Sequence, residues 1–157
     1  MAMRRAIAVL RHGAWTPPPE GPSVTLTHDD RQRRRGRLRG DDGEPLLLEL
    51  EAVPRLRDGD GLTLADGGAV LVRAAPEPVV DIRCESAAHA AKVAWHIGNR
   101  HAPLQVLADG GLRIQDDHVL AGMAEGLGAA TRRRQAPFSP EPGAYAHAAS
   151  NPGEDRG

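Results

Sequence analysis

The run Ala74-Ala75-Pro76-Glu77-Pro78 separates two stretches with different apolar periodicities, so this chain must fold in two parts. Upstream of it, short apolar segments alternate with turn sequences. Ala6 to Leu10 is compact and apolar, Val24, Leu26 and His28 share a parity, and Leu46 to Leu50 reads as a buried strand. Gly40-Asp41-Asp42-Gly43 and Asp58-Gly59-Asp60-Gly61 are turn sequences, and Asp66-Gly67-Gly68 between Leu62-Thr63-Leu64 and Val70-Leu71-Val72 predicts a hairpin. Pro76 and Pro78 then mark a linker or a strand entry, because the residue before a proline is pushed out of the helical region.

Downstream, the spacing alternates between two and three to four. Val79 to Cys84 predicts a strand, and Ser86 can cap a helix whose Ala90, Val93, Ala94 and Ile97 recur at i, i+3, i+4 and i+7. Gly98-Asn99 supplies the stop. Leu104 to Ala108, Asp109-Gly110-Gly111 and Leu112 to Gln115 predict strand, turn and strand. Asp116 or Asp117 can cap a second helix with Leu120, Met123 and Leu127 as its apolar stripe, ended by Gly126 and Gly128. Thr131 to Ala136 predicts a last strand, which completes a βαββαβ order, the ferredoxin-like unit. After Pro137 the chain is rich in Pro, Gly, Ala and Ser and is expected to be mobile. The expected fold class is α+β, with a small β-rich domain at 1–75, a ferredoxin-like domain at 76–137 and a tail at 138–157.

Composition narrows the chemistry. The 157 residues include four aromatics, Trp15, Trp95, Phe138 and Tyr145, so each core is expected to be aliphatic. A net charge of −1 gives no overall field toward nucleic acid or an anionic membrane. Cys84 stands alone, which excludes an internal disulfide framework and multi-cysteine zinc modules and fits a reducing compartment. Arg4 and Arg5 precede a short apolar run, but Arg11 and His12 interrupt it without a small-residue cleavage pattern, so no signal peptide is expected. No apolar stretch approaches the roughly 18 residues of a membrane span. A soluble, cytoplasmic protein is the expectation.

Histidine is the residue type best placed to carry a function. Imidazole ligates nickel, copper and zinc, and the seven histidines are His12, His28, His89, His96, His101, His118 and His147. There is no His-Glu-x-x-His pair. His96 and His101 lie five apart, a rotation of about 140° on a continuous helix, so their rings do not face one ion there. A helix break at Gly98 loosens that constraint. Two chains related by a twofold axis, each presenting one His, would form a shared, open site that binds metal without enclosing it.

Trp95-His96-Ile97-Gly98-Asn99-Arg100-His101 resembles the signature of the urease accessory protein E family. The likeness continues through Pro103-Leu104-Gln105, Asp117-His118-Val119, Pro137-Phe138 and Gly143-Ala144-Tyr145. Upstream it includes Leu26-Thr27-His28-Asp29-Asp30-Arg31 and Gly59-Asp60-Gly61. The resemblance implies a peptide-binding N-terminal domain, a ferredoxin-like metal-binding domain, a homodimer joined through the latter, and nickel held at the interface. It also implies delivery of nickel for urease assembly, with the urease apoprotein and an accessory GTPase as partners. Zinc or copper is expected to substitute for nickel in the same ligands. The histidine closing Gly-Asn-Arg-His is the implied principal ligand, here His101. His118 occupies an auxiliary position used in some members, and two residues earlier, where some have His, this chain has Asp116. The long histidine-rich tail of many members is reduced here to His147, so little metal storage is expected.

Other readings remain at this stage. Arg31, Arg33, Arg34, Arg35, Arg37 and Arg39 form a basic strip that suits a nucleic-acid or peptide-binding module. It lacks interleaved aromatics and has Asp29, Asp30, Asp41, Asp42 and Glu44 nearby, which favours a protein surface over nucleic acid. No nucleophile elbow or phosphate-cradling loop is present, and Cys84 is expected inside a strand, so a hydrolase has less support. His96 is expected to be a partly buried structural residue.

Overall fold

The computed structural model describes residues 3–143. Among them the fold is α+β, mostly strands with two α-helices, in two compact units that divide between Ala75 and Pro76.

The first unit is a six-stranded sheet built from β1 (Arg4–Leu10), β2 (Ser23–Leu26), β3 (Arg35–Arg39), β4 (Pro45–Glu49), β5 (Gly61–Leu64) and β6 (Ala69–Ala74), in the order β2-β6-β5-β1-β4-β3. Its inward residues, Val24, Leu26, Leu38, Leu46, Leu48, Leu62, Leu64, Val70 and Val72, join Ala6, Leu50 and Leu56 in an aliphatic core. The Asp66-Gly67-Gly68 turn joins β5 to β6 as the sequence predicts. Two expectations fail in detail. β4 is not buried throughout but alternates, with Leu46 and Leu48 inward and Leu47 only half-buried. In β1 the pairing with β5 slips between Ala6 and Ala8, leaving Ile7 as an extra residue that is turned partly to solvent.

The Asp58-to-Gly61 sequence is more than a turn. Asp60 is 2% exposed, and its carboxylate accepts the amides of His12 (2.8 Å) and Arg57 (2.9 Å) and the Arg11 guanidinium (3.0 Å). A buried carboxylate is tolerated when its acceptor sites are filled in this way. Gly61 lies against the Trp15 ring, where a Cβ would approach to 2.5 Å. Arg31 departs from the surface strip expected of it. It is 1% exposed, with Nε donating to the Leu26 carbonyl and Nη1 to that of Leu56.

The second unit runs β7 (Pro76–Arg83), α1 (Ala87–Asn99), β8 (Gln105–Val106), β9 (Leu112–Gln115), α2 (His118–Gly126) and β10 (Ala130–Pro137). The sheet order is β10-β7-β9-β8, with every neighbouring pair antiparallel. Val80, Ile82, Leu112 and Ile114 pack with Val93 and Ile97 of α1 and Leu120, Ala121 and Ala124 of α2. The α2 stripe is therefore rotated from the expected one: Leu120 is buried, Met123 half-buried and Leu127 exposed. Two small alanines let the helix sit close to the sheet, so the stripe follows Ala121 and Ala124 rather than the larger Met123 and Leu127. On the opposite parity, Val79, Ala136 and Phe138 form a separate cluster. Phe138 is fully buried, the Ser139 amide donates to Gln105 Oε1 and the Glu141 amide to the Leu104 carbonyl, so the packed chain continues past Pro137. Cys84 lies one residue beyond β7 rather than within a strand, and burial raises its thiol pKa.

Candidate metal centre

His101 is positioned by the way α1 ends. Ser86 caps the start, its hydroxyl accepting the His89 amide at 3.0 Å, and Val93 and Ile97 fix the buried face. The helix runs through Gly98 and ends at Asn99, at the expected stop. The reversal comes at His101, which adopts φ +59°, donates its amide to the Gly98 carbonyl (2.9 Å), and is followed by Ala102 donating to the Ile97 carbonyl (3.4 Å). That pair of bonds closes a helix on a left-handed residue, which is ordinarily glycine. α2 ends the same way with glycine in that place: Gly128, φ +92°, donates to the Glu125 carbonyl, and Ala129 to that of Ala124. A side chain in this region carries a steric cost that concentrates at functional positions. His101 is exposed, and it stands at the partly negative carboxyl end of α1, an electrostatic setting that favours a cation.

The other histidines divide by environment. His118 is the first residue of α2 and exposed, preceded by Asp117, whose carboxylate caps the helix through the Val119 and Leu120 amides (2.9 and 3.1 Å). This amino end is partly positive and less hospitable to a cation than the end His101 occupies. Asp116 faces Arg133 at 3.5 Å. His147 lies outside the described residues. His96 is half-buried beside Trp95, ring centroids 5.1 Å apart and edge-on. His89 has both ring nitrogens engaged: Nδ1 accepts the Glu85 amide (3.1 Å) and Nε2 donates to the Leu127 carbonyl (2.8 Å), tying the start of α1 to the end of α2. That bonding fixes the tautomer and leaves no lone pair for a metal. Among the described residues no three His, Cys, Asp or Glu side chains converge on a metal position.

Trp95 is a surface feature that the sequence reading passed over. It is 64% exposed on α1, two positions before buried Ile97 and off the stripe of Val93 and Ile97. That offset was the available signal. No described helix is long and apolar enough to cross a membrane.

The described residues form a two-unit α+β chain that displays an exposed imidazole at the end of α1. The chain belongs to the UreE family of urease accessory proteins. The pattern of the UreE N-terminal domain matches residues 4–75 and that of the UreE C-terminal domain residues 77–156. Among similar proteins, the urease accessory protein UreE of Rhodopseudomonas palustris strain HaA2 is 48% identical over 83% of this chain and 60% of its own length. That of Bradyrhizobium sp. strain BTAi1 is 45% identical over 98% of this chain and 73% of its own, and that of Beijerinckia indica 47% over 92% and 82%.

Proposed function

We propose that this chain is a nickel carrier for urease assembly and not a catalyst. Two copies associate through their second units, and His101 from each supplies a ligand to one nickel ion at the twofold axis. The observation that carries this reading is the exposed His101 at the negative end of α1, held in a backbone conformation that would favour glycine, within the Trp95-to-His101 segment of a UreE-family chain. An ion held by a few neutral donors on an open surface exchanges more readily than one enclosed by four thiolates. Release to a partner is what a carrier requires. His118 and His147 serve as supplementary ligands, and zinc or copper competes for the same donors.

The same reading takes the units as a β-rich domain at 1–75 and a ferredoxin-like domain that starts at 76 and, with Phe138 buried, extends past the expected boundary at 137, supported by the β10-β7-β9-β8 order and its antiparallel neighbours. The protein acts in the cytoplasm, and its partners are an accessory GTPase and the urease apoprotein. Nothing in the reading calls on nucleic acid or a membrane. Exposed Trp95 belongs to the surface that the second copy covers.

Equilibrium dialysis of the full chain tests the assignment. His101→Ala is expected to abolish tight nickel binding, and His118→Ala or His147→Ala to weaken it a few-fold. Wild-type affinity in His101→Ala would refute the central ligand, and complete loss in His147→Ala would show that the ligands are ranked in the wrong order.

A further inference from the structure

Strand β3 lies at an edge of the first sheet, and its backbone pairing determines what it presents to solvent. Arg35 to Arg39 run antiparallel to β4, with Arg35 opposite Glu49, Arg37 opposite Leu47 and Arg39 opposite Pro45. The same register places Arg34 opposite Leu50 and Gly40 opposite Glu44, and these are bonded pairs: the Leu50 amide donates to Arg34 (2.9 Å) and the Gly40 amide to Glu44 (2.8 Å). Antiparallel pairs alternate between bonded and non-bonded, so Gly36 and Leu38 also direct their N–H and C=O to β4. Arg35, Arg37 and Arg39 therefore direct theirs away from β4, along an edge that is open as far as Arg39 and ends where the Asp41 amide donates to the Ser23 carbonyl of β2 (2.9 Å).

Those three residues also carry the exposed side chains of the strand, Leu38 between them being buried. Free backbone groups and guanidinium groups recur together at every second residue. Among the described residues none of the three is paired with a carboxylate, and several nearby acids are engaged elsewhere. Glu49 is held by Arg5 at 3.0 Å, Asp41 accepts the Ser23 and Thr25 hydroxyls, and Asp42 accepts the Glu44 amide. The remaining arginines of the run are occupied. Arg31 is in the core, Arg33 lies 3.6 Å from Asp30, and Arg34 donates to the Glu51 carbonyl.

We propose that the β3 edge is a docking site for an extended acidic segment of a partner protein, which adds as a further strand with carboxylates at alternate positions facing Arg35, Arg37 and Arg39. Main-chain pairing on an edge provides affinity, and side chains at alternate positions provide selectivity. Charged edge residues also discourage unwanted pairing between sheets. Here the guard is selective: it repels basic and apolar strands and admits an acidic one. The site deepens the carrier reading by giving the protein a contact for its partners, but it is separate from the metal ligands and is tested apart from them.

The probe is a labelled eight-residue peptide alternating Glu and Val, with its Lys-Val counterpart as control, added to the full chain at low salt. The Glu-Val peptide is expected to bind, with amide resonances of Arg35, Arg37 and Arg39 shifting and their exchange slowing, and the Lys-Val peptide not to bind. Replacing all three arginines by Gln is expected to lower affinity at least tenfold. Arg37→Pro removes one outward N–H while sparing every bond to β4, and is expected to weaken binding more than Arg37→Gln. Peptide affinity unchanged in the triple Gln variant overturns the proposal, even if that variant self-associates, since the arginines would then only guard the edge. Equal binding by Arg37→Pro and Arg37→Gln overturns the strand-addition mode. Nickel dialysis on the same variants is expected to match wild type, so failure here leaves the His101 assignment standing.

Discussion

His101 and Gly128 occupy the same place in two helix endings, and the comparison separates what stability asks of the position from what function asks. Glycine meets the backbone requirement without steric cost, as at the end of α2. Histidine at the end of α1 is among the side chains that tolerate the left-handed region best, yet it still costs about 1 kcal/mol relative to glycine. His101→Gly is therefore expected to raise stability by about that amount while removing the proposed ligand, as read by denaturant midpoints and dialysis on one preparation. A destabilised His101→Gly would show that the ring packs rather than projects. The helix end at Asn99 was legible in the sequence, but the residue that makes the reversal was not. Gly98-Asn99 marks the ending, while the left-handed reversal falls on His101, a residue type for which the glycine rule gives no signal. His89 was hidden for a different reason. Its partner Leu127 lies 38 residues away, and a bond of that range has no local pattern.

Among the elements, those marked by turn and cap chemistry were legible. Asp66-Gly67-Gly68 joins β5 to β6, Ser86 caps α1 and Asp117 caps α2, each through backbone bonds that local sequence can specify. Misreadings arose where the packing partner decided the outcome. The buried face of α2 follows Ala121 and Ala124, Ile7 is displaced by the slip against β5, and Arg31 is drawn inward by carbonyls of β2 and of the stretch before β5. The face of the second sheet opposite the helices is tied by charge. Asp81 accepts Arg113 through two bonds of 2.6 and 3.0 Å and Arg134 at 3.3 Å, linking β7 to β9 and β10. The hydrogen bond from Arg113 holds the Asp81 carboxyl below the usual range, against the opposing effect of burial. A depressed folded-state pKa stabilises above the unfolded value, near 3.9, and that contribution is lost as pH falls through the folded value. Asp81→Asn is thus expected to cost about 2 kcal/mol at neutral pH and to flatten the decline in stability below about pH 4, measured by thermal unfolding across pH. An unchanged acid limb in the variant would remove Asp81 from the account.

For the whole molecule, the proposed site shared between two chains makes association the decisive question. A shared imidazole site has a characteristic pH response, because each ring must be neutral to bind and its reference pKa is about 6.5. Nickel is expected to dissociate as pH falls through that value, and retention at about pH 5 would point to carboxylate or thiolate donors instead. The family and the order of the elements could be read from the sequence through its ordered motifs, whereas a twofold axis leaves no periodicity in a single chain. The most direct test is a nickel titration followed by native mass measurement of the full chain at neutral pH. The account predicts one tightly held ion for each pair of chains, lost in His101→Gly, and a tightly held ion on an isolated monomer would contradict it.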